Sequence, residues 1–352
     1  MSSTDPTPSV PTTPPAATAV VTGAAGWLGQ NLVRTLLRSR DRVRCLVASP
    51  DEAPALAVLS PKVETVVGDV RDPGTADRLF EGVGEAAVFH AAAVIHPAKS
   101  TREFYDVNVG GTQMIVDRAR RASASRFVHV SSNSPFGTNP TPDDLFTEDS
   151  PYDPYMGYGK SKQEAEQIVR KAHERGDIPT VIVRAPWFYG PYQPPRQSQF
   201  FSAIRKGMFP IVGDGTQKRS MAYTDNLVQG LLRAEVSEKA PGNAYWVADA
   251  TPYALSEIIE TVRLALADEG LPAKPARLRL PLAASRFAEK ADAALQSKGK
   301  YQQALHVFGE LGHTIACDIS RARDELGYEP TVELRQGMRA SIRWCLDHGE
   351  TL

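Results

Sequence analysis

Short apolar runs alternate with longer amphipathic stretches from Thr18 to about Gly190. The runs are four or five residues long and rich in Val, Ile and Phe, which is typical of buried strands. They lie at Thr18–Thr22, Val43–Val47, Val63–Val67, Ala87–His90, Phe127–Ser131 and Val181–Arg184. Between them, helical spacing predicts helices over Leu28–Arg38, Thr75–Phe80, Val107–Arg121 and Tyr158–Arg175. This order predicts an α/β fold, a doubly wound parallel sheet with helices on both faces.

The alternation ends after Gly190, where a cluster of prolines indicates a loop. Beyond it the pattern predicts a strand at Ala244–Ala248 and helices at Gln199–Lys206, Thr224–Ala234, Leu255–Ala267, Asp318–Leu326 and Leu334–Leu346. Residues 270–316 carry no pattern that predicts an element. We expect a smaller unit over residues 191–352, with a segment near 222–250 that returns to the sheet.

The first fifteen residues hold five prolines and seven serines or threonines. Such a segment cannot bury enough apolar surface to offset the entropy of ordering, so we expect residues 1–15 to form a disordered tail. No apolar block follows a basic start, which argues against a signal peptide. The most apolar run, Ala86–Ile95, is interrupted by His90 and is far shorter than the ~20 residues of a membrane span.

Composition and charge exclude several classes of partner. The 352 residues include 40 Lys and Arg against 41 Asp and Glu, a net charge of −1, which gives no reason to expect nucleic acid or a membrane surface as a partner. The three cysteines, Cys45, Cys317 and Cys345, are far apart and form no CxxC pair. They favour neither a zinc site nor a disulfide framework and fit a reducing compartment, so we expect a cytoplasmic protein without metal.

A glycine-rich segment, Thr22-Gly23-Ala24-Ala25-Gly26-Trp27-Leu28-Gly29, follows the first predicted strand and begins the first predicted helix. Gly23 lets the chain turn, Gly26 removes bulk where a pyrophosphate approaches, and Gly29 lets helix and strand pack closely. The free N–H groups at the helix start would then face the pyrophosphate. Three glycines also occur in plain turns, but the strand before and the helix after favour a dinucleotide-binding domain over residues 16–190.

The spacing GxxGxxG resembles the short-chain dehydrogenase/reductase superfamily, and later segments resemble its extended branch in order. These are Gly68-Asp69-Val70, His90-Ala91-Ala92-Ala93, Val107-Asn108-Val109-Gly110-Gly111-Thr112 and Arg184-Ala185-Pro186. The resemblance covers roughly residues 18–345 and implies a nicotinamide dinucleotide cofactor. The cofactor-contacting residues it implies are Gly23, Gly26, Trp27, Leu28, Gly29, Asp69, Val70, Ala91, Ala92, Ala93, Asn108, Tyr158, Lys162 and Pro186.

Tyr158 and Lys162 are four residues apart, so both side chains lie on one face of a predicted helix. A tyrosine pKa of about 10 is too high for an efficient base near neutrality, and a nearby ammonium would lower it. The pair alone also fits a solvated helix face, but its place after the glycine motif and the strand ending at Ser131 favours catalysis.

Ser132 follows the fifth predicted strand, where ligands bind in doubly wound folds, and its hydroxyl can hydrogen-bond a substrate oxygen. Ser131 and Ser134 are the alternatives. We expect Tyr158 to take the proton of a substrate hydroxyl while hydride leaves for the nicotinamide, with Ser132 orienting the oxygen and Lys162 holding the nicotinamide ribose.

Two features bear on the substrate, and they disagree. Arg219 lies where nucleotide-sugar enzymes of this branch grip a diphosphate, although it could equally be a surface residue. Trp187 lies where those enzymes usually carry an asparagine, and it could be a wall for an apolar substrate or part of the core. Asn243–Asp249 and Asn226–Leu232 resemble 3β-hydroxysteroid dehydrogenase-like members. We therefore favour a secondary alcohol or ketone of a bulky substrate, with a nucleotide-sugar epimerase, dehydratase or decarboxylase as the alternative. Further substrate candidates are His96, Asn133, Ser134 and Tyr223.

Cofactor choice stays open between NAD and NADP. The second strand ends in Val47-Ala48-Ser49-Pro50 with Asp51 beyond, so neither an acid for the ribose nor an arginine for a 2′-phosphate is clear. The missing arginine favours NAD. The resemblance also implies a homodimer built on Val107–Arg121 and Tyr158–Arg175. A non-catalytic dinucleotide sensor is a further alternative, but such relatives generally lack the Tyr and Lys found here.

Overall fold

A seven-stranded parallel sheet organises the computed structural model, which describes residues 10–352. The strands are β1 (Thr18–Thr22), β2 (Arg42–Val47), β3 (Val63–Val67), β4 (Ala86–His90), β5 (Arg126–Ser132), β6 (Thr180–Ala185), β7 (Trp187–Tyr189), β8 (Ile211–Val212), β9 (Lys218–Arg219), β10 (Met221–Tyr223), β11 (Ala244–Trp246), β12 (Tyr253–Ala254) and β13 (Arg279–Leu280). The sheet has the order β11-β6-β5-β4-β1-β2-β3, and every neighbouring pair is parallel.

The helices cover both faces of this sheet. They are α1 (Trp27–Leu36), α2 (Ala53–Ala57), α3 (Pro73–Phe80), α4 (Thr112–Arg121), α5 (Met156–Glu174), α6 (Pro195–Arg205), α7 (Thr224–Val236), α8 (Leu255–Asp268), α9 (Leu282–Gln296), α10 (Gln303–Glu310), α11 (Ser320–Leu326) and α12 (Leu334–Asp347). Helices α1 and α7 pack together on one face, and α3, α4 and α5 pack side by side on the other. The predicted α/β doubly wound fold is confirmed.

The strand order reverses between β1 and β4, which are neighbours although two strands separate them in the chain. Connections therefore leave the carboxyl ends of β1 and β4 in opposite directions. In open α/β sheets such a reversal leaves a crevice at the carboxyl edge, where ligands bind. The glycine-rich turn after β1 and the Ala91–Ala93 segment after β4 both lie at this edge.

A second apolar core holds the C-terminal half together. It is formed by helices α6, α8 and α12 with the short strands β7 and β10, around residues such as Phe201, Ile258 and Met338. Helix α7 and strand β11 instead return to the large sheet, where β11 pairs with β6. The apolar side chains of the C-terminal half are therefore divided between the core of the large sheet and this second core.

Three segments differ from the sequence prediction. Residues 270–316, which had no predicted element, form β13, α9 and α10. The predicted helix Val107–Arg121 divides into a wider helical turn over Phe104–Gly111, with i to i+5 spacing, and the α-helix α4. Residues 1–9 of the predicted tail lie outside the described residues. Residues 10–15 are ordered, because Thr12 pairs with Ser237 and the Thr13 amide donates to the Val236 carbonyl at 2.7 Å.

Within residues 10–352, no helix combines the length and apolarity that crossing a bilayer requires. The same part of the chain holds no group of three or more His, Cys, Asp or Glu side chains arranged to bind a metal ion. All three cysteines are buried free thiols.

Candidate functional site

The turn after β1 brings three backbone segments into close contact. Gly23 has a φ of +67°, and a Cβ there would lie 2.8 Å from the Ala92 nitrogen. A Cβ at Gly29 would lie 2.1 Å from the Gly23 carbonyl oxygen, whereas one at Gly26 would have only that oxygen nearby, at 3.1 Å. Gly23 and Gly29 are therefore required by the packing of the turn, as predicted, and Gly26 keeps the start of α1 clear.

The start of α1 offers uncapped amides. Gly26 is the N-cap residue, no side chain caps the helix, and its first turn holds no acid. The amides of Trp27, Leu28 and Gly29 have no intrahelical acceptor, which makes this end of the helix suited to an anion. The Trp27 indole donates to the Gly190 carbonyl at 3.1 Å, and Leu28 is buried in the core. A dinucleotide pyrophosphate fits this cradle, because glycine leaves it open and nothing in it is negatively charged.

A carboxylate lies at the end of β2. One Glu52 oxygen accepts from the Ala48 amide at 2.9 Å and from the Ser49 amide at 3.3 Å, and the Ser49 hydroxyl accepts from the Asp51 amide. The Ser-x-x-Glu spacing of a capping box was the signal for this arrangement, and the sequence analysis did not use it. An acid is therefore present where the ribose of a dinucleotide is recognised in this fold.

The two residues predicted after β3 have local partners. The Asp69 carboxylate bonds the Arg71 guanidinium, with oxygen-to-nitrogen distances of 2.9 and 2.5 Å, and this hydrogen bond lowers the pKa of Asp69. Val70 is buried, and a Cβ at Gly111 would lie 2.7 Å from its side chain. This segment closes the sheet edge against the wide turn that precedes α4.

A chain of neutral hydrogen bonds links the glycine-rich turn to the wide turn. Thr22 Oγ1 lies 2.8 Å from His90 Nδ1, and His90 Nε2 lies 3.0 Å from Thr112 Oγ1. The Thr112 hydroxyl donates its one proton to the Asn108 carbonyl at 2.6 Å, so it accepts from His90 Nε2–H and His90 Nδ1 accepts from Thr22. Burial lowers the pKa of His90 to about 3, so the ring stays neutral at physiological pH.

Asn108 corrects one prediction. We expected its side chain to contact the cofactor, but it is 1% exposed and its amide atoms are occupied. Its oxygen accepts from the Val94 amide at 2.7 Å, and its nitrogen donates to the Val94 carbonyl and to Ser161 Oγ, each at 3.0 Å. Ser161 in turn donates to the Tyr158 carbonyl at 2.8 Å. Asn108 therefore fixes helix α5 to the segment after β4.

Tyr158 lies in the first turns of α5, half-buried, with its ring centroid 5.8 Å from that of Phe104. Burial raises its pKa to about 12, although a hydrogen bond from Ser132 acts in the opposite direction. Ser132, at the end of β5, also accepts from the Ser134 amide at 3.0 Å. The predicted Tyr158 and Ser132 are thus brought together, whereas Ser131 is buried beside the Glu166 carboxylate.

Lys162 is buried one turn further along α5. Its Nζ donates to the Val130 carbonyl at 2.7 Å and lies 3.3 Å from His129 Nε2. Burial lowers the pKa of Lys162 to about 8, although Glu166 opposes the shift. The pKa of Tyr158 is governed by burial, by the opposing Ser132 hydrogen bond, and by the charges of Glu310 and Arg196, and the effect of Lys162 on it stays a prediction. The ammonium instead holds the end of β5.

A buried ion pair anchors the middle of α5. The Glu166 carboxylate bonds Arg184 Nη2 at 2.9 Å and accepts from the Tyr152 hydroxyl at 2.7 Å, and both charged side chains are at most 1% exposed. The Arg184 guanidinium also lies 4.3 Å from the Phe136 ring centroid. Such a pair is costly to break, since removing one partner leaves an uncompensated buried charge. It sets the position of α5 relative to β6.

A cavity of about 270 Å³ lies beside Tyr158. The sheet side contributes Asn133 and Ser134 after β5 and Tyr158 from α5. The opposite wall comes from α9, α10 and the loop that follows, and its titratable residues are Glu289, His306, Glu310 and His313. Sequence reasoning missed these four, because they belong to the segment in which no helices were predicted.

The structure separates the remaining predicted residues from this cavity. Trp187 packs on Phe200 in the second core with ring centroids 5.3 Å apart, and Tyr223 is 6% exposed in the same core. Neither lines the cavity, so the core alternative is correct for Trp187, and Tyr223 is a core residue as well. Pro186 is buried between β6 and β7.

Arg219 also departs from its predicted role. It is 7% exposed, and its Nη2 donates to the Glu310 carbonyl at the end of α10. A cation at the C-terminus of a helix is favourable to the helix dipole. His96 Nδ1 bonds the Tyr301 hydroxyl at 2.8 Å. Arg219 is therefore engaged in holding the wall of the cavity.

The chain resembles characterised and uncharacterised proteins over nearly its whole length. Residues 19–248 match the NAD dependent epimerase/dehydratase family. Uncharacterized protein y4nL of Sinorhizobium fredii is 43% identical over 344 residues, covering 94% of this chain and 96% of the relative. A dTDP-glucose 4,6-dehydratase of Neisseria meningitidis serogroup B is 28% identical, with 94% and 93% covered. A 4-hydroxy-2-methyl-3-oxo-4-farnesyl-3,4-dihydroquinoline-1-oxide ketoreductase of Stigmatella aurantiaca is 30% identical, with 91% and 94% covered.

Among solved structures, DesIV, a dTDP-glucose 4,6-dehydratase from Streptomyces venezuelae with NAD and TYD bound, matches with a TM-score of 0.71. The identity is 24%, and the match covers 94% of this chain and 97% of that chain. The fold is thus shared with an enzyme of the same family. The chain belongs to the NAD dependent epimerase/dehydratase family, the extended branch of the short-chain dehydrogenases/reductases, and is an enzyme of that family.

Proposed function

We propose that this enzyme transfers a hydride between a nicotinamide dinucleotide and a secondary alcohol or ketone carbon of a bulky substrate. The observation that carries the proposal is that Tyr158, which is hydrogen-bonded to Ser132 at the end of β5, lines a cavity together with Asn133 and Ser134. The open glycine cradle at the start of α1 lies at the same edge. When bound, the dinucleotide supplies the hydride acceptor or donor.

Tyr158 and Ser132 act on the substrate oxygen. A phenol whose pKa is raised to about 12 carries its proton at neutral pH, so Tyr158 donates to a carbonyl oxygen and takes the proton back in the reverse direction. The Ser132 hydroxyl orients the same oxygen. Lys162, held by the Val130 carbonyl, would bind the nicotinamide ribose. The asparagine Asn108 acts through α5 as a positioning residue.

NAD is the proposed cofactor rather than NADP. The Glu52 carboxylate at the end of β2 can accept from ribose hydroxyls, and it would repel a 2′-phosphate. Arg71, which follows β3, is already paired with Asp69. Glu52, Asp69 and Arg71 together therefore offer no free positive charge to bind a 2′-phosphate.

An uncharged substrate suits the cavity better than a nucleotide sugar. Arg219, the residue expected to grip a diphosphate, is bound to the Glu310 carbonyl. The cavity lining holds the carboxylates of Asp153, Glu289 and Glu310 against a single lysine, Lys160, and this excess of negative charge opposes an anion there. We therefore place the substrate among 3β-hydroxysteroid-like alcohols and ketones, in keeping with the relative named a ketoreductase. The relatives named dTDP-glucose 4,6-dehydratase support the nucleotide-sugar alternative.

The test measures NADH formation at 340 nm with a 3β-hydroxysteroid, and conversion of dTDP-glucose in parallel. The expected result is turnover of the steroid with a lower KM for NAD than for NADP. Tyr158→Phe should bind NAD as the wild type does and lose turnover by ~10²–10⁴-fold, the range for general acid–base catalysis. Turnover of dTDP-glucose alone would favour the alternative, and an active Tyr158→Phe protein would refute the assignment of the acid.

A further inference from the structure

The cavity wall opposite Tyr158 contains a histidine held by a carboxylate. His306, on α10, lies with Nδ1 2.8 Å from Asp292 Oδ2 on α9. The Asp292 side chain is fully buried, and the same oxygen accepts from the Tyr155 hydroxyl at 3.1 Å and from Gln296 at 2.9 Å. A carboxylate is an acceptor only, so Nδ1 carries the proton and Asp292 fixes the tautomer of His306.

The other ring nitrogen of His306, Nε2, has no hydrogen-bond partner within residues 10–352 of the protein. His306 Nε2 has its nearest charged neighbour, Glu310 Oε1, at 3.7 Å, which is beyond hydrogen-bond distance. The side chain is 14% exposed and lines the cavity that Tyr158 also lines. An imidazole with one nitrogen on a buried carboxylate and the other facing a cavity is the arrangement of a general base.

Among the described residues, the side of the cavity that carries Tyr158 has no histidine. Its polar and titratable lining residues are Asn133, Ser134, Thr138, Asp153, Tyr155, Tyr158 and Lys160. Tyr158 carries its proton there, because burial raises its pKa. An imidazole that is held by a buried carboxylate is therefore found on the opposite wall.

We propose that His306, oriented by Asp292, is a second acid–base residue of this cavity and exchanges a proton with the carbon next to the substrate carbonyl. The inference rests on the proposed function, which places that carbonyl beside Tyr158. His306 Nε2 takes the proton as the C–H bond breaks, and the electron pair moves to the carbonyl oxygen. The enolate oxygen is stabilised by the Tyr158 hydroxyl, and the imidazolium by Asp292. Return of a proton to the same carbon restores the ketone, so no oxidant or reductant is consumed.

The charges around His306 suit this role. Glu310 from α10, Asp292 and Glu289 from α9, and Tyr155 at the N-cap of α5 surround it, with His96, Tyr301 and His313 nearby. Burial alone would lower the pKa of His306, but the Asp292 hydrogen bond and the Glu310 and Asp292 charges outweigh it, and the pKa is raised above 6.5. The same carboxylates stabilise the imidazolium that forms when His306 Nε2 accepts a proton.

The first experiment is independent of any substrate. Nitrogen-15 NMR of the full chain at pH 9 reads the tautomer of each histidine, and His306→Gln identifies the signal. We expect the proton on Nδ1 and a bare Nε2. A proton on Nε2 would overturn the inference, since that nitrogen could not then accept one.

The second experiment incubates a saturated 3-ketosteroid with the enzyme and NAD in D₂O and follows deuterium at the carbons next to the ketone. His306→Gln should lower the exchange rate by ~10²-fold or more, as for loss of a general base. His348→Gln is the control, because His348 lies at the end of α12 and bonds only the Trp344 carbonyl. Equal exchange by wild type and His306→Gln, or no exchange by the wild type, would overturn the inference.

A parallel assay separates this inference from the proposed function. Consumption of NADH with the same ketone reports the hydride step alone. Exchange without reduction would leave the role of His306 intact and refute the oxidoreductase proposal for this ketone. Reduction without exchange would support the oxidoreductase proposal for this ketone and overturn the role of His306.

Discussion

Replacing Gly29 with alanine tests the close packing of the nucleotide turn. The new Cβ would lie 2.1 Å from the Gly23 carbonyl oxygen and 2.7 Å from the Ala24 Cα, where an ordinary contact begins at 3.4 Å. Both neighbours are backbone, so the turn or the start of α1 must move by about 1 Å, at a cost of roughly 1–3 kcal/mol for an overpacked site.

Two measurements follow from that displacement. The midpoint temperature of thermal unfolding should fall by roughly 2–12 °C, using ~2–4 °C for each kcal/mol in domains of 150–250 residues. The Kd for NAD, read by calorimetry, should rise at least ~10-fold, which corresponds to about 1.4 kcal/mol. Gly84→Ala is the matched control, because its Cβ would have no heavy atom within 4 Å. If Gly29→Ala matched Gly84→Ala in both measurements, the argument from close packing would be refuted.

Three further changes have expected outcomes. The pKa of Lys162 is about 8 in the folded protein and 10.5 when unperturbed, so the buried ammonium destabilises the fold below pH 8 and stability rises towards pH 10.5. Lys162→Met should therefore be more stable at pH 7, by up to ~3 kcal/mol, and urea unfolding should show this advantage shrinking above pH 8 and vanishing only above pH 10.5. Glu52→Gln keeps the acceptor and removes the charge, so steady-state kinetics should show kcat/KM for NADP relative to NAD rising ~10-fold, about 1.4 kcal/mol. Ser161→Ala removes the hydrogen bonds with Asn108 and the Tyr158 carbonyl, and thermal unfolding should show a free energy of unfolding lowered by ~1 kcal/mol.

The sheet and its nucleotide turn could be predicted because local pattern and tertiary position agree there. Each of the seven predicted strands lies within two residues of its observed bounds, since strands buried on both faces appear as continuous apolar runs. The roles of Gly23 and Gly29 were also visible, because a tight turn and a close helix contact both exclude side chains. The proximity of Tyr158 to Ser132 followed from the strand end and the helix face.

The opposite wall of the cavity could not be predicted, and its composition explains why. Helix α9 buries Ser285, Ala288, Asp292 and Gln296 at helical spacing, so its inner face is mostly polar, while Phe287 is 74% exposed. A search for apolar periodicity therefore finds no helix here.

Long-range pairing explains the other misassigned residues. Arg219 bonds the Glu310 carbonyl 91 residues away, and Asn108 reaches Ser161 across 53 residues. Their side chains were assigned to ligands because their protein partners lie far along the chain. Residue type and local spacing carry no information about such partners.

The far wall of the cavity is one contiguous stretch, residues 282–315, whereas the sheet, the glycine turn and helix α5 lie outside it. Substitutions that reshape this wall can therefore accumulate within one short stretch of sequence. Tyr155, which bonds Asp292, and Arg219, which bonds the Glu310 carbonyl, are the neighbours outside the stretch that such changes must keep compatible.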